Sequence, residues 1–109
     1  MQSAAPAENR IFQALADPSR RAIFESLTRG EAAVKDLTAR FDISQPAVSK
    51  HLKVLKEAGL VRDRHHGRQT HYSAEPGMLA PLADWTRQMA GFWQDRLDAL
   101  EDLLTRMDQ

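Results

Sequence analysis

Cysteine is absent from the 109-residue chain, which removes disulfides, thiolate metal ligands and thiol redox sensing together. No run of 18 apolar residues occurs either, so no segment is suited to span a bilayer as a helix. The first ten residues, MQSAAPAENR, lack the charged and apolar regions of a signal peptide. A soluble cytoplasmic protein with no membrane partner is the expectation. There are no paired carboxylates beside a histidine and no glycine-rich phosphate loop, so an enzyme is not expected. Net charge is missing too. Fifteen basic and fifteen acidic side chains cancel, which taken alone argues against a polyanionic partner. Their distribution reverses that reading. Residues 43–73 carry six basic and two acidic side chains, whereas residues 74–109 carry three and seven. All four histidines, His51, His65, His66 and His71, fall in the basic stretch, where protonation below about pH 6.5 adds to the positive field. Such segregation is an electrostatic footprint of the kind nucleic-acid-binding surfaces carry.

What is present is organised around Ser44 to Leu60, SQPAVSKHLKVLKEAGL, which reads as one helix with its start and stop written in. Ser44 offers a hydroxyl to an orphan backbone amide, and Pro46 falls in the first turn, where a missing N–H costs nothing. Gly59 supplies the stop. Val48, Leu52 and Leu55 recur at i, i+4 and i+7, so one stripe is apolar and packs on a partner helix. At about 100° per residue, Pro46, Ser49, Lys50, Lys53 and Glu57 lie opposite that stripe, with Gln45 flanking it near the N-terminus. Hydroxyl, amide and ammonium groups at the front of a helix can enter a major groove, donate to base edges and neutralise phosphate. An ordinary amphipathic surface helix shows the same stripe, so this helix alone leaves both readings open.

Residues 1–7 are small and polar around Pro6 and are expected to be disordered. Residues 8–109 are enough for one domain with one core. A first helix from about Glu8 carries Ile11, Phe12, Leu15 and Ala16 on one side. Asp17 as N-cap and Pro18 at the first helical position open a second, which turns Ile23, Phe24 and Leu27 inward and ends near Gly30. Its Arg20 and Arg21 either touch phosphate or sit on a solvated face. Val34, Leu37 and Phe41 set a third helix, and Asp42 and Ile43 lead directly into Ser44. Two short helices joined by a tight turn form the helix-turn-helix pattern, in which the first braces the second across the groove. The turn lacks a glycine, so spacing supports the motif more than turn chemistry does. After Gly59, LVRDRHHGRQTHYSA reads as two strands around a turn at His66, Gly67 and Arg68. Arg62, Arg64, Arg68 and Gln69 stud this hairpin, a wing whose tip can reach backbone or minor groove. Its three histidines read as surface residues rather than zinc ligands. Pro76 and Gly77 close the wing, and a long helix is expected over about 77–107. Trp93, Leu97, Leu100, Leu104 and Met107 repeat there in alternating steps of 4 and 3, preceded by Leu82, Trp85 and Met89. A second copy of the chain is the natural cover for that seam, joined by Ile11, Phe12 and Leu15. The alternative is a hairpin back onto the same domain.

The stretches ALADPSRRAIFESL and VKDLTARFDISQPAVSKHLKVLKEAGLVRDRHHGRQTHYS resemble the ArsR family of bacterial winged-helix transcriptional repressors, from about Asn9 to Ser73. The resemblance implies a mainly α fold with a small β-hairpin, a winged helix-turn-helix of order helix-helix-helix-helix-strand-strand-helix. It further implies a homodimer built on the first and last helices, with double-stranded operator DNA as the partner. The family's base-reading face falls on Ser44, Gln45, Ser49, Lys50 and Lys53, with Arg68 in the wing. Metal-sensing relatives carry Cys-Val-Cys on the brace helix, where this chain has Ala33, Val34 and Lys35. Others use Asp and His two apart on the last helix, where Asp84 is followed by Thr86. No metal and no cofactor are therefore expected. The chain resembles the subgroup lacking those ligands, whose members can act as autorepressors or answer to a non-metal effector. The competing reading, a winged-helix protein-interaction module that does not bind DNA, predicts apolar residues where Ser49, Lys50 and Lys53 stand.

Overall fold

Asp17 breaks the N-terminal helical stretch of the computed structural model, which describes residues 6–108. Helix α1 (Pro6–Ala16) ends before it and α2 (Pro18–Thr28) begins after it. Most of the stretch expected to be disordered lies outside the described residues, but Pro6 and Ala7 already belong to α1. Asp17 is extended, and its Oδ1 accepts the amides of Ser19 at 2.8 Å and Arg20 at 3.1 Å. These bonds, the one from Arg20 foremost, hold the carboxyl below its ordinary value of 3.8. The two arginines have a use that neither sequence reading anticipated. Arg20 donates to the carbonyls of Ala14 and Gln13, at 2.8 and 3.0 Å, and Arg21 to those of Leu15 and Ala16, at 2.5 and 3.4 Å. They close the last turn of α1, whose carbonyls have no helical partner.

The chain continues through β1 (Ala32–Ala33), α3 (Val34–Phe41), α4 (Gln45–Glu57), β2 (Val61–His66) and β3 (Gln69–Ala74). Three antiparallel strands stand in the order β1-β3-β2, where the sequence suggested only the β2-β3 hairpin. Ala32 pairs with Tyr72 and Ala33 with His71. A two-residue strand is too short to show a period. It nevertheless matters, because α3 leaves β1 without a linker: Ala33 is the N-cap of α3, and Asp36 Oδ2 reaches back to its amide at 3.2 Å.

The core forms where α1 packs on α2 and α4 and where α3 packs on α4. Ile11, Ile23, Leu37, Val48, Leu52, Leu55 and Leu60 are its largest fully buried side chains. Ile11, expected at the dimer interface, is thus a core residue at 0% exposure. The packing of α1 turns Ile11 and Ala14 inward at i and i+3, leaving Phe12 exposed and Leu15 half-buried.

A 3-10 turn over Pro76–Leu79 ends this unit, and α5 (Ala80–Met107) forms a second. The expected helix start near 77 moves to Ala80 because Pro76 and Gly77 make the 3-10 turn. Pro81, lacking an amide proton, then fits the first turn of α5. At 1.5 Å per residue this helix is about 42 Å long.

Candidate DNA-binding interface

Helix α4 is set against α3 by a turn that does without glycine. Asp42 takes the left-handed conformation itself, at φ 52° and ψ 44°, and its amide donates to Thr38 O at 3.1 Å. Aspartate tolerates this region better than most residues, so the missing glycine costs the motif little. Ser44 is extended, and its Oγ accepts the Ala47 amide at 3.2 Å. At the other end Gly59, at φ 79°, donates to Lys56 O and Leu60 donates to Leu55 O, both at 2.9 Å. This paired closure is the Schellman motif, which needs the left-handed glycine. Between the two caps Val48, Leu52 and Leu55 are fully buried, while Ser44, Gln45, Pro46, Ser49, Lys50 and Lys53 are all exposed. The six expected contact residues of this helix therefore share its solvent side.

The wing pairs from Val61 opposite Ala74 to His66 opposite Gln69, closing through Gly67 and Arg68. Gly67 sits at φ 64°, as the first position of a tight two-residue hairpin turn demands. Two of the wing's expected DNA contacts are otherwise engaged. Arg62 Nε lies 2.7 Å from Glu75 Oε1. Arg64 donates through Nε and Nη2 to both oxygens of Glu31, at 2.8 and 2.7 Å. To reach phosphate, each would have to leave a carboxylate it already holds. Glu31 is held below its ordinary 4.5, first by the hydrogen bond from Arg64 and then by that arginine's charge, with His71 Nδ1 3.8 Å away. Arg64 is raised in turn. A third pair ties α4 to the wing: Lys56 Nζ bonds Asp63 Oδ2 at 2.9 Å, lowering the carboxyl and raising the amine.

Arg68 and Gln69 at the wing tip are exposed, and Arg68 has no ion pair among the described residues. With Gln45, Lys35, Ala33, Val34 and Thr70 they line a hollow of about 240 Å³. The front of α4 and the tip of the wing thus share one concavity. Lys35 is the residue that sequence reasoning missed, having entered only as the position where metal-sensing relatives carry a cysteine. Among the described residues no three of His, Asp and Glu converge as a metal site requires. The wing histidines face other partners: His65 Nδ1 lies 3.0 Å from the Thr70 hydroxyl, and the His66 and His71 rings meet edge to face at 6.2 Å. Among the same residues, no helix is long and apolar enough to cross a membrane.

On α5, the expected seam residues Trp85, Met89, Trp93, Leu97, Leu100 and Leu104 are all exposed, Trp93 by 62%. Phe92, Leu103 and Met107 are exposed beside them. At 100° per residue these side chains span an arc of about 140°, wider than the seam alone. Arg96 lies within the arc, its guanidinium 4.6 Å from the centre of the Phe92 ring. Asp95, Asp98 and Asp102 occupy the other side.

Comparison with known proteins agrees with this geometry. A helix-turn-helix domain family matches residues 15–64. The HTH-type transcriptional regulator Rv2034 of Mycobacterium tuberculosis is 47% identical over 91 residues, covering 79% of this chain and 85% of that protein. The transcriptional repressor SdpR of Bacillus subtilis is 35% identical over 77 residues, covering 71% and 86%. The crystal structure of an ArsR family transcriptional regulator superposes with a TM-score of 0.76 at 34% identity, covering 86% of this chain and 97% of that one. With helix-turn-helix and wing both in place, the chain belongs to the ArsR family of winged helix-turn-helix transcriptional repressors.

Proposed function

We propose that the chain is a homodimeric repressor that reads a pseudo-palindromic operator and has no metal effector. The carrying observation is the division of α4 between a wholly buried stripe and an exposed side holding Ser44, Gln45, Pro46, Ser49, Lys50 and Lys53. That side lies in the major groove. Gln45, at its front, can donate to and accept from an adenine edge, and Ser49 adds a hydroxyl one turn on. Lys50 and Lys53 neutralise phosphate. Arg68 and Gln69 meet the backbone or minor groove at the wing tip, whereas Arg62 and Arg64 stiffen the wing through their carboxylates.

The dimer is built on the apolar arc of α5. A two-fold pair of α4 helices reads half-sites about one helical turn, roughly 34 Å, apart. Ala33, Val34 and Lys35 offer no thiolate, and Asp84 is paired with Arg87. Any effector is therefore of another chemistry. With chromosomal DNA as its partner, the protein works in the cytoplasm, as a binder rather than a catalyst. Selection of duplexes from a random pool tests this reading: a two-fold motif with half-sites one turn apart is expected. Equal retention of every sequence would overturn it.

A further inference from the structure

The hollow between wing tip and recognition helix holds two cations and no acid. Its lining is Lys35, Arg68, Gln45, Gln69 and Thr70, floored by Ala33 and Val34. Of the carboxylates flanking β1 and the start of α3, Asp36 is bonded to the amide of Ala33 and Glu31 to Arg64, and Asp42, three residues before Gln45, is not among the lining residues. Lys35 and Arg68 have no ion pair among the described residues. Two unneutralised like charges on one concavity repel, and an anion between them relieves the repulsion. At about 240 Å³ the hollow is far roomier than one water, whose share of liquid is roughly 30 Å³.

We infer that this hollow seats a phosphate of the DNA backbone where the strand passes from the recognition helix to the wing, and that Lys35 of the brace helix is a DNA-binding residue. The inference rests on the DNA-binding reading of α4 and the wing. The fold fixes the seat. Helix α3 starts from β1 with no linker, β1 is bonded to β3 at Ala33 and His71, and β3 runs back through Gln69 to Arg68. Lys35 is thereby tied to the wing through the sheet, and Gln45 opens α4 on the same hollow. An ammonium there carries no base information. Its contribution is charge and register, equal for every sequence.

The test is an anisotropy titration of a labelled random-sequence duplex, and of the selected operator, over a range of KCl concentrations. Wild type, Lys35→Gln and Lys35→Arg are compared, with thermal unfolding measured alongside. Loss of one phosphate contact lowers the log–log salt slope by about 0.9, or about 1.8 for two protomers. Between 50 and 200 mM salt this makes the affinity drop of Lys35→Gln roughly tenfold smaller than that of wild type. Lys35→Gln is expected to weaken both duplexes by the same factor, with Lys35→Arg close to wild type and all three melting together. An unchanged slope in Lys35→Gln, a loss confined to the operator, or equal losses in both variants would each overturn the seat while leaving wild-type DNA binding intact. Absence of salt-dependent binding by wild type itself would instead remove the DNA-binding reading and the seat with it.

Discussion

Replacing Leu100 by aspartate separates the proposed dimer from the DNA-reading surface. Leu100 lies mid-arc on α5 and is 50% exposed in the single chain, so an isolated protomer tolerates the change within about 0.5 kcal/mol. In a two-fold interface the same residue is buried and occurs twice. Truncating a buried leucine costs about 2 to 5 kcal/mol, so two copies cost roughly 4 to 10 kcal/mol. A carboxylate adds the cost of burying or neutralising a charge. The dimer dissociation constant therefore rises by about three to seven orders of magnitude. Sedimentation, circular dichroism and operator binding on one sample give the outcome. A folded monomer with wild-type helicity and no measurable operator binding is expected, although Gln45, Ser49 and Arg68 are untouched. A Leu100→Asp protein that is monomeric yet binds the full operator as tightly as wild type would refute the dimer as the source of affinity.

Three further outcomes follow from the site. Gln45→Ala and Ser49→Ala should each cost about 1 to 3 kcal/mol on the operator and relax base preference, while random DNA binds as before; equal losses on both duplexes would cancel the base-reading role. Arg68→Ala should lower the salt slope by about 0.9 per protomer, whereas Arg64→Ala leaves it nearly unchanged because Arg64 already holds Glu31; the reverse order in titrations over salt would show that the Glu31 pair opens on DNA. Asp63 is held below its ordinary 3.8 by Lys56, so it adds stability above that pH which is lost as pH falls through its depressed value. The stability deficit of Asp63→Asn in urea titrations should thus be full near neutral pH and shrink as pH falls below 3.8; a gap that does not change on acidification would contradict the linkage.

Local chemistry made much of the fold legible. Ser44, Pro46 and Gly59 bound α4 as their capping preferences demand, and the spacing of Val48, Leu52 and Leu55 identified its buried side. Gly67 marked the hairpin for the same kind of reason. What escaped depends on contacts between distant segments. Glu31 meets Arg64 from 33 positions away, and only the pairing of β1 along β3 brings them together. Arg62 and Arg64 therefore looked like free cations in a list of wing charges. Ile11 and Phe12 are neighbours in one apolar patch, and the packing of α1 decides that the first is core and the second surface. Lys35 carried no periodic signal, and its motif position pointed only to a missing cysteine. Its place beside Gln45 and Arg68 is a property of the sheet.

The division of labour between arginine and lysine gives the DNA-facing unit its logic. Arg20, Arg21, Arg40, Arg62 and Arg64 all donate to acceptors within the chain: the end of α1, the Ser26 hydroxyl, Glu75 and Glu31. A guanidinium is a rigid fork, suited to acceptors whose positions the fold has fixed. Helix α4 carries no arginine, and its outward cations Lys50 and Lys53 are ammonium groups on flexible stems. Such groups follow a phosphate without demanding one geometry. On the proposed reading, non-specific affinity rests on lysine, and discrimination on Gln45 and Ser49, whose amide and hydroxyl gain only when a matching base edge is opposite. The two quantities are separable by design of the chain. Salt weakens the lysine contribution and with it the hold on random DNA, while the direct contacts of Gln45 and Ser49 are far less sensitive. The arginine pattern is not complete: the side chains of Arg10, Arg29 and Arg68 have no such acceptor among the described residues, and of these Arg68 stands beside Gly67 in the two-residue turn of the wing.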